Sequence, residues 1–261
     1  MPDLEDQFRA GIEDEIKQYP LLIEELRQEL EWDGSPYMVS FNHQIPSGIP
    51  HISSSHAACA MWKEAQEGPV YATPADLEAC AMGADLLFQL SANQQVRYEE
   101  MIHMGERYGW NPHTAKRWFD RLPRIRFEEP LAAIVYAPLA LAPCEPDVIF
   151  LIVDPNQAKL LDYAASFQDG EASPVATAGP ACAFICRCFL ENRTTFGWGD
   201  MSLRFFFDLP KDRMFAAIPG RQLRFILRNL KDMKKFYGTI DDIQAKYQMS
   251  LDYFAGGEAS Y

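Results

Sequence analysis

Residues 147–167 read DVIFLIVDPNQAKLLDYAASF, and this stretch decides the fold class. Six apolar residues run without interruption over Val148–Val153, which predicts a strand that is buried on both faces. Asp154 followed by Pro155 is typical of a helix N-cap with proline at the first helical position. The residues that follow show helical spacing of the apolar and small side chains Ala158, Leu161, Tyr163 and Ala165. The stretch therefore predicts a strand, a turn and a helix in direct succession.

Similar patterns predict the other elements of the chain. Apolar and β-prone runs predict strands at 37–41, 70–72, 132–136, 203–208 and 214–218, the last two as an antiparallel pair. Amphipathic spacing predicts a helical segment at 3–32 that is interrupted at Pro20. It also predicts helices at 56–65, 73–80, 94–107, 112–122, 182–190, 220–237 and 241–253. Residues 168–180 and the turn-rich 193–200 are predicted as irregular.

This order of elements indicates an α/β (α+β mixed) fold, with a mixed central sheet flanked by helices and helical N- and C-terminal extensions. The sequence contains no Pro/Ser-rich linker long enough to separate two domains. We therefore predict a single domain over residues 1–261. It comprises a helical N-terminal segment at 1–32, a core at 36–230 and C-terminal helices at 220–254.

The composition excludes several classes of protein. The 261 residues carry a formal net charge of -13. An acidic chain repels phosphate groups and anionic lipids, so we expect no nucleic-acid partner and no membrane partner. The first twenty residues are acidic and amphipathic rather than typical of a signal peptide, and no run reaches the roughly 18 apolar residues of a membrane span. We therefore predict a cytoplasmic protein with reduced cysteines.

Three cysteines are the strongest candidates for a metal site. Cys59, Cys80 and Cys182 each lie near the start of a predicted helix, where the amide dipoles favour a thiolate. Cys186 lies one helical turn after Cys182 on the same face and is the fourth candidate, whereas Cys188 points away. Four thiolates suit zinc or an iron–sulfur cluster, and the lack of C-x-x-C pairs favours the cluster. A protein with such a centre would be a redox or Lewis-acid enzyme, and it would interact with an electron-transfer partner or a small-molecule ligand.

The histidines and the loops leave alternatives open. His51 and His56 are close to Cys59 in sequence and are candidates for an imidazole ligand to the same metal. A haem held by His56 or Cys59 is a second alternative. A third is a metal-free binding module in which the cysteines belong to the core and a small ligand lies between the sheet and the loop at Gly197. The turn at Asp154 is a poor phosphate site because it lacks glycine and carries a negative charge.

One combination of motifs resembles a known family. Their order along the chain is Cys59, Gly68-Pro69-Val70-Tyr71, Cys80 with Gly83, Ala137-Pro138-Leu139, Pro146-Asp147-Val148, Asp154-Pro155-Asn156-Gln157-Ala158, Cys182 and Ala217-Ile218-Pro219. Over roughly residues 36–230 this order resembles the uncharacterised "domain of unknown function 169" family. The resemblance implies an α/β cytosolic protein, common in anaerobic prokaryotes, with no settled activity. Cys59, Cys80 and Cys182 match the family pattern. The resemblance is also compatible with a homo-oligomer.

Overall fold

A computed structural model gives the fold of the chain. It describes residues 14–52, 58–77, 80–88, 109–167, 180–199 and 201–237, with single positions at 99, 103, 105, 170, 173, 242, 245, 247 and 248. The helices predicted at 94–107 and 241–253, the segment at 168–180 and the first half of the N-terminal helix therefore lie largely outside the described residues. No helix in the described part has both the length and the apolar character needed to cross a membrane.

A six-stranded sheet forms the centre of the fold. Its strands are β1 (Tyr37–Asn42), β2 (Val70–Ala72), β3 (Ala133–Pro138), β4 (Val148–Val153), β5 (Thr195–Gly197) and β6 (Met214–Pro219), in the order β2-β3-β1-β4-β6-β5. Every pairing between these strands is antiparallel. The fold class is confirmed, but the sheet is not mixed: the parallel contact found in the described residues is an isolated bridge between His51 and Tyr71.

Eight α-helices accompany the sheet in the described part of the chain. They are α1 (Tyr19–Leu30), α2 (Ala58–Glu64), α3 (Ala81–Phe88), α4 (Pro112–Asp120), α5 (Pro155–Ser166), α6 (Ala181–Glu191), α7 (Met201–Phe206) and α8 (Leu223–Tyr237). Short 3-10 helices are η1 (Pro74–Leu77), η2 (Leu139–Leu141) and η3 (Gly220–Gln222). The turn at Pro20 predicted as a helix start is confirmed, because proline stands in the first turn of α1.

The strand-turn-helix unit forms as predicted. β4 lies between β1 and β6, and all of its residues except Ile152 are buried. The Asp154 carboxylate accepts hydrogen bonds from the N–H groups of Asn156 and Gln157, at 2.8 and 2.9 Å. The Gln157 side chain accepts the N–H of Asp154 at 2.9 Å, which completes a capping box. The buried stripe of α5 differs from the prediction: it consists of Gln157, Ala158, Leu160, Leu161 and Ala164, without Tyr163 or Ala165.

The two faces of the sheet carry separate apolar layers, because successive side chains of a strand point to opposite sides. The first face bears Val39, Tyr136 and Phe150 and is covered by α2, α3, α6 and α7. The second face bears Met38 and Ile149 and is covered by α1, α5 and α8. Five of the six cysteines belong to the first face, and Cys144 packs against the second.

Three predicted elements are wrong. Residues 203–208 were expected as a strand, but Met201–Phe206 is helix α7. Leu203 is buried and Phe206 and Phe207 pack on the core, whereas Phe205 is 80% exposed, so the contacts follow helical rather than alternating spacing. Met214–Pro219 therefore pairs with β4 and β5 instead. The turn-rich segment contains strand β5, which includes Gly197, so that loop begins only at Trp198. The helix predicted from Thr73 is a 3-10 turn that ends before Cys80.

Candidate thiol site

Three helices each bring a cysteine to their first turn. Cys59 is the second residue of α2, and Cys182 is the second residue of α6. Cys80 immediately precedes α3, where its carbonyl accepts the N–H of Ala84 at 2.8 Å and its sulfur accepts the N–H of Gly83 at 3.3 Å. The sulfur of Cys80 thus serves as the N-cap acceptor of α3. The predicted position near a helix start is confirmed for Cys59 and Cys182, whereas Cys80 immediately precedes α3 instead of lying in the helix predicted from Thr73.

Tyr136 is a buried phenol in the same apolar layer as the four cysteines predicted as ligands. Tyr136 lies in β3 on the first face and is 1% exposed. Its pKa lies well above the ordinary tyrosine value, first because the phenol is buried and then because of negative charge at Cys182, Cys59, Cys186 and Cys80, in that order. The phenol and the four cysteines therefore belong to one apolar layer, on the first face of the sheet.

Gly83 permits the close approach of α2 and α3 at this place. A Cβ atom built on Gly83 would lie 2.8 Å from the Cβ of Ala58 and 3.2 Å from the sulfur of Cys80. Real Cβ atoms do not approach a neighbour so closely, so any larger residue would displace one of the two helices. The first residue of α2 and the N-cap of α3 therefore meet at a position that requires glycine.

Cys186 differs from the other three in its hydrogen bonding. Its thiol donates to the carbonyl of Leu86 at 3.3 Å, and the same carbonyl accepts the N–H of Ile125 at 3.2 Å. Complete burial raises the pKa of Cys186 to about 12. Burial and the nearby Glu191 likewise raise the pKa of Cys188 well above its usual value. Both thiols keep their protons, and Cys186 is the least ligand-like of the four predicted cysteines.

Cys144 belongs to a different polar group, on the second face. Its thiol shares a hydrogen bond with the hydroxyl of Ser40, and burial is the main cause of its raised pKa. Ser40 also hydrogen-bonds to Asp147, whose carboxylate accepts the N–H of Phe41 at 2.7 Å. Burial raises the pKa of Asp147. The sequence contained no pattern that predicted this cluster, because its members come from β1 and from the turn before β4. No disulfide joins any of the six cysteines, all of which the structure describes.

His51 is placed less favourably than predicted for a ligand. Nε2 of His51 lies 2.8 Å from the carboxylate of Asp76, which also accepts the N–H and the hydroxyl of Thr73 at 2.6 and 2.7 Å. Burial opposes the charge on Asp76, but the hydrogen bonds from Thr73 and His51 outweigh it, so the pKa of Asp76 is lowered. One nitrogen of His51 is therefore already engaged by a carboxylate. His56 lies outside the described residues.

The arrangement has two chemical properties. It collects soft sulfur donors in an apolar layer, and one of them, Cys80, is only half-buried. Within the described ranges, no three side chains of His, Cys, Asp or Glu are grouped to hold a metal ion. Sequence reasoning missed Tyr136 and named Gly83 only as part of the family motif, since the packing of both residues depends on contacts between distant segments. For Asp76, the Thr-x-x-Asp spacing was visible but was interpreted only as a helix start.

Comparison with known proteins places the chain in one family. The model of the DUF169 family, described as "Uncharacterised ArCR", matches residues 25–229. Searches of curated proteins and of solved structures returned no match. The matched range runs from within α1 to within α8 and includes Cys59, Cys80, Tyr136 and Cys182. Because the match covers well over half of the sequence, the chain belongs to the "domain of unknown function 169" family.

Proposed function

We propose that the protein is a cytoplasmic carrier of an iron–sulfur cluster, or of another soft metal centre, held by Cys59, Cys80 and Cys182. The centre has a redox or Lewis-acid role. One observation carries the proposal: thiols at or beside three separate helix starts belong to the same apolar layer, on the first face of the sheet. Thiolates are the ligands that soft metals and clusters prefer.

The burial of the thiols fits a partly shielded centre. Cys59 and Cys182 are 7% and 4% exposed, and Cys80 is half-buried. A centre held by these three residues would be protected from water on the side of the sheet and reachable from the side of Cys80. An electron-transfer partner or a small-molecule ligand would approach from that side.

The fourth coordination position is the point where a cluster carrier and an enzyme differ. A metal ligand must lose its proton, and Cys186 would also have to give up its hydrogen bond to Leu86. Three-cysteine ligation with an open iron is therefore favoured over four-cysteine ligation, and an open iron is a Lewis acid. His56 stays in the proposal as an alternative nitrogen ligand.

A metal-free binding module is the second candidate. The hydrogen bond from Cys186 and the full burial of Cys186 and Cys188 favour it, because free cysteine commonly fills a core as a small apolar residue. In this case the cysteines of the first face stabilise packing, and a small molecule is bound elsewhere. Haem held by His56 or Cys59 is a third candidate, and visible absorption separates it from the other two.

Anaerobic purification and reconstitution with ferrous iron and sulfide tests the proposal. We expect a broad visible absorption band with bound iron and acid-labile sulfide, whereas haem would give a sharp Soret band. The triple variant Cys59→Ala, Cys80→Ala, Cys182→Ala should lose the iron. Cys144→Ala is the matched control, because it removes a half-buried thiol from the other face, and it should keep the iron. A colourless wild-type protein, or equal iron in the triple variant, would refute metal binding at these residues.

A further inference from the structure

We infer that Tyr247 is a modification site, at which the phenol oxygen takes up an acyl group from an activated acyl donor. Its neighbours Lys159 and Tyr163, both in α5, make this oxygen more reactive than that of an ordinary tyrosine. The inference is independent of the proposed function, because the thiols lie on the first face of the sheet, whereas α5 covers the second face.

Two phenols meet on the exposed side of α5. The hydroxyl oxygens of Tyr163 and Tyr247 lie 3.0 Å apart, within hydrogen-bond distance. The two residues are 37% and 49% exposed, so a small molecule dissolved in water reaches both rings. Tyr163 follows Lys159 by one helical turn, and side chains at this spacing are neighbours on a helix surface. The three side chains therefore form one cluster at the surface.

The Lys159 ammonium group supplies positive charge to this cluster. Its nitrogen lies 4.0 Å from the ring centroid of Tyr247 and 5.6 Å from that of Tyr163. Both distances are within the range of cation–π contacts. Asp162, the acid next to Tyr163 in sequence, accepts the N–H of Ser173 at 3.1 Å. Because Lys159 is closer to the ring of Tyr247, its charge favours the phenolate of Tyr247 over that of Tyr163.

The hydrogen bond and the cation act on Tyr247 in the same direction. When the Tyr247 phenol loses its proton to water, the Tyr163 hydroxyl donates to the oxygen that is left. This hydrogen bond, and then the charge of Lys159, lower the pKa of Tyr247. A larger fraction of Tyr247 is therefore phenolate near neutral pH, and the phenolate is the nucleophilic form.

Acyl transfer to this oxygen needs no other group of the protein. The phenolate oxygen attacks the carbonyl carbon of the donor, and a C–O bond forms. The bond from that carbon to the leaving group breaks, and the leaving group departs with the electron pair and takes a proton from water. The product is an ester of Tyr247.

N-Acetylimidazole is the probe, used at limiting concentration near neutral pH, and mass spectrometry locates the acetyl groups. We expect acetylation of Tyr247 that hydroxylamine reverses, since hydroxylamine cleaves phenol esters but not lysine amides. Lys159→Met should slow this acetylation by about two- to fivefold. A unit charge about 4 Å away favours the anion by a factor of about five in water. Part of that factor is lost because more acidic nucleophiles attack more slowly, as is known for thiols.

The control variants separate the charge of Lys159 from its packing. Lys159→Arg keeps the charge and should acetylate at the rate of the wild type. Lys231→Met removes a lysine that pairs with Glu25 and should also leave the rate unchanged. Tyr163→Phe should slow the reaction, because the hydrogen bond to Tyr247 is lost.

Two results would overturn the inference. The first is a wild-type Tyr247 that takes up no acetyl group, and the second is an equal rate in Lys159→Met and either the wild type or Lys159→Arg. If Lys159→Met fails to fold, the ultraviolet absorbance of phenolate is titrated with pH in the wild type and in Tyr247→Phe. The difference between the two curves should show a phenol that ionises at lower pH than free N-acetyltyrosinamide. Ionisation at the same or a higher pH refutes the role of the cluster.

Discussion

Replacing Gly83 by alanine tests the contact on which the thiol site depends. The new Cβ would lie 2.8 Å from the Cβ of Ala58 and 3.2 Å from both the sulfur of Cys80 and a methyl carbon of Leu77. Overpacking of this kind costs about 1–3 kcal/mol, while alanine regains about 1 kcal/mol over glycine within a helix. We expect a net loss of up to about 2 kcal/mol, which lowers the Tm of a chain this long by up to about 8 °C.

Thermal and urea unfolding followed by circular dichroism measure this loss. Gly68→Ala is the control, because a Cβ at Gly68 would meet no atom within 4 Å, and it should leave stability unchanged within about 0.5 kcal/mol. Adding Ala58→Gly to Gly83→Ala removes the closest contact. The double-mutant cycle should therefore show a favourable coupling between the two substitutions. A Gly83→Ala protein more stable than the wild type, or additive effects in the cycle, would contradict the close approach of α2 and α3.

Three further predictions concern single residues. Burial raises the pKa of the Asp147 carboxyl in the folded protein. The stability that protonated Asp147 contributes is therefore complete below its pKa in the unfolded chain, about 3.9, and is lost as the pH rises through its pKa in the folded protein. In urea unfolding, Asp147→Asn should therefore gain stability relative to wild type as the pH rises above about 4. A difference that stays constant with pH would contradict this. Asp154→Ala should cost about 0.5–2 kcal/mol through loss of the cap of α5, and Asn156→Ala much less; equal Tm values would refute the cap. Iodoacetamide should label Cys80 before the four buried cysteines, as read by mass spectrometry, and earlier labelling of Cys182 would count against this geometry.

The parts of the fold that were predictable are those with a local cause. Val148–Val153 and Asp154 were identified because an unbroken apolar run and an N-cap with proline each act within a few residues. The buried stripe of α1 was predicted for the same reason, since Leu22, Ile23, Leu26 and Leu30 repeat at helical spacing. In these elements the local preference and the tertiary contacts agree.

Local preference failed where tertiary packing decides. The run Phe205-Phe206-Phe207 favours a strand by propensity, yet packing of Leu203, Phe206 and Phe207 on the first face makes the preceding residues helical. Of the site, the cysteine positions at helix starts were predictable. The presence of Tyr136 in the same apolar layer was not, because no sequence spacing relates residue 136 to residues 59, 80 and 182.

The distance in sequence between the helices of the first face determines when this region can form. The thiol of Cys186 bonds to the carbonyl of Leu86 across 100 residues of chain, and α3 packs on α6. Contacts of such long range form slowly, because the loop between them must first close. During synthesis, Cys59 and Cys80 leave the ribosome well before Cys182. A centre that needed all three thiols would thus be loaded only after most of the chain had been synthesised, and a truncated chain that ends before α6 should not retain it.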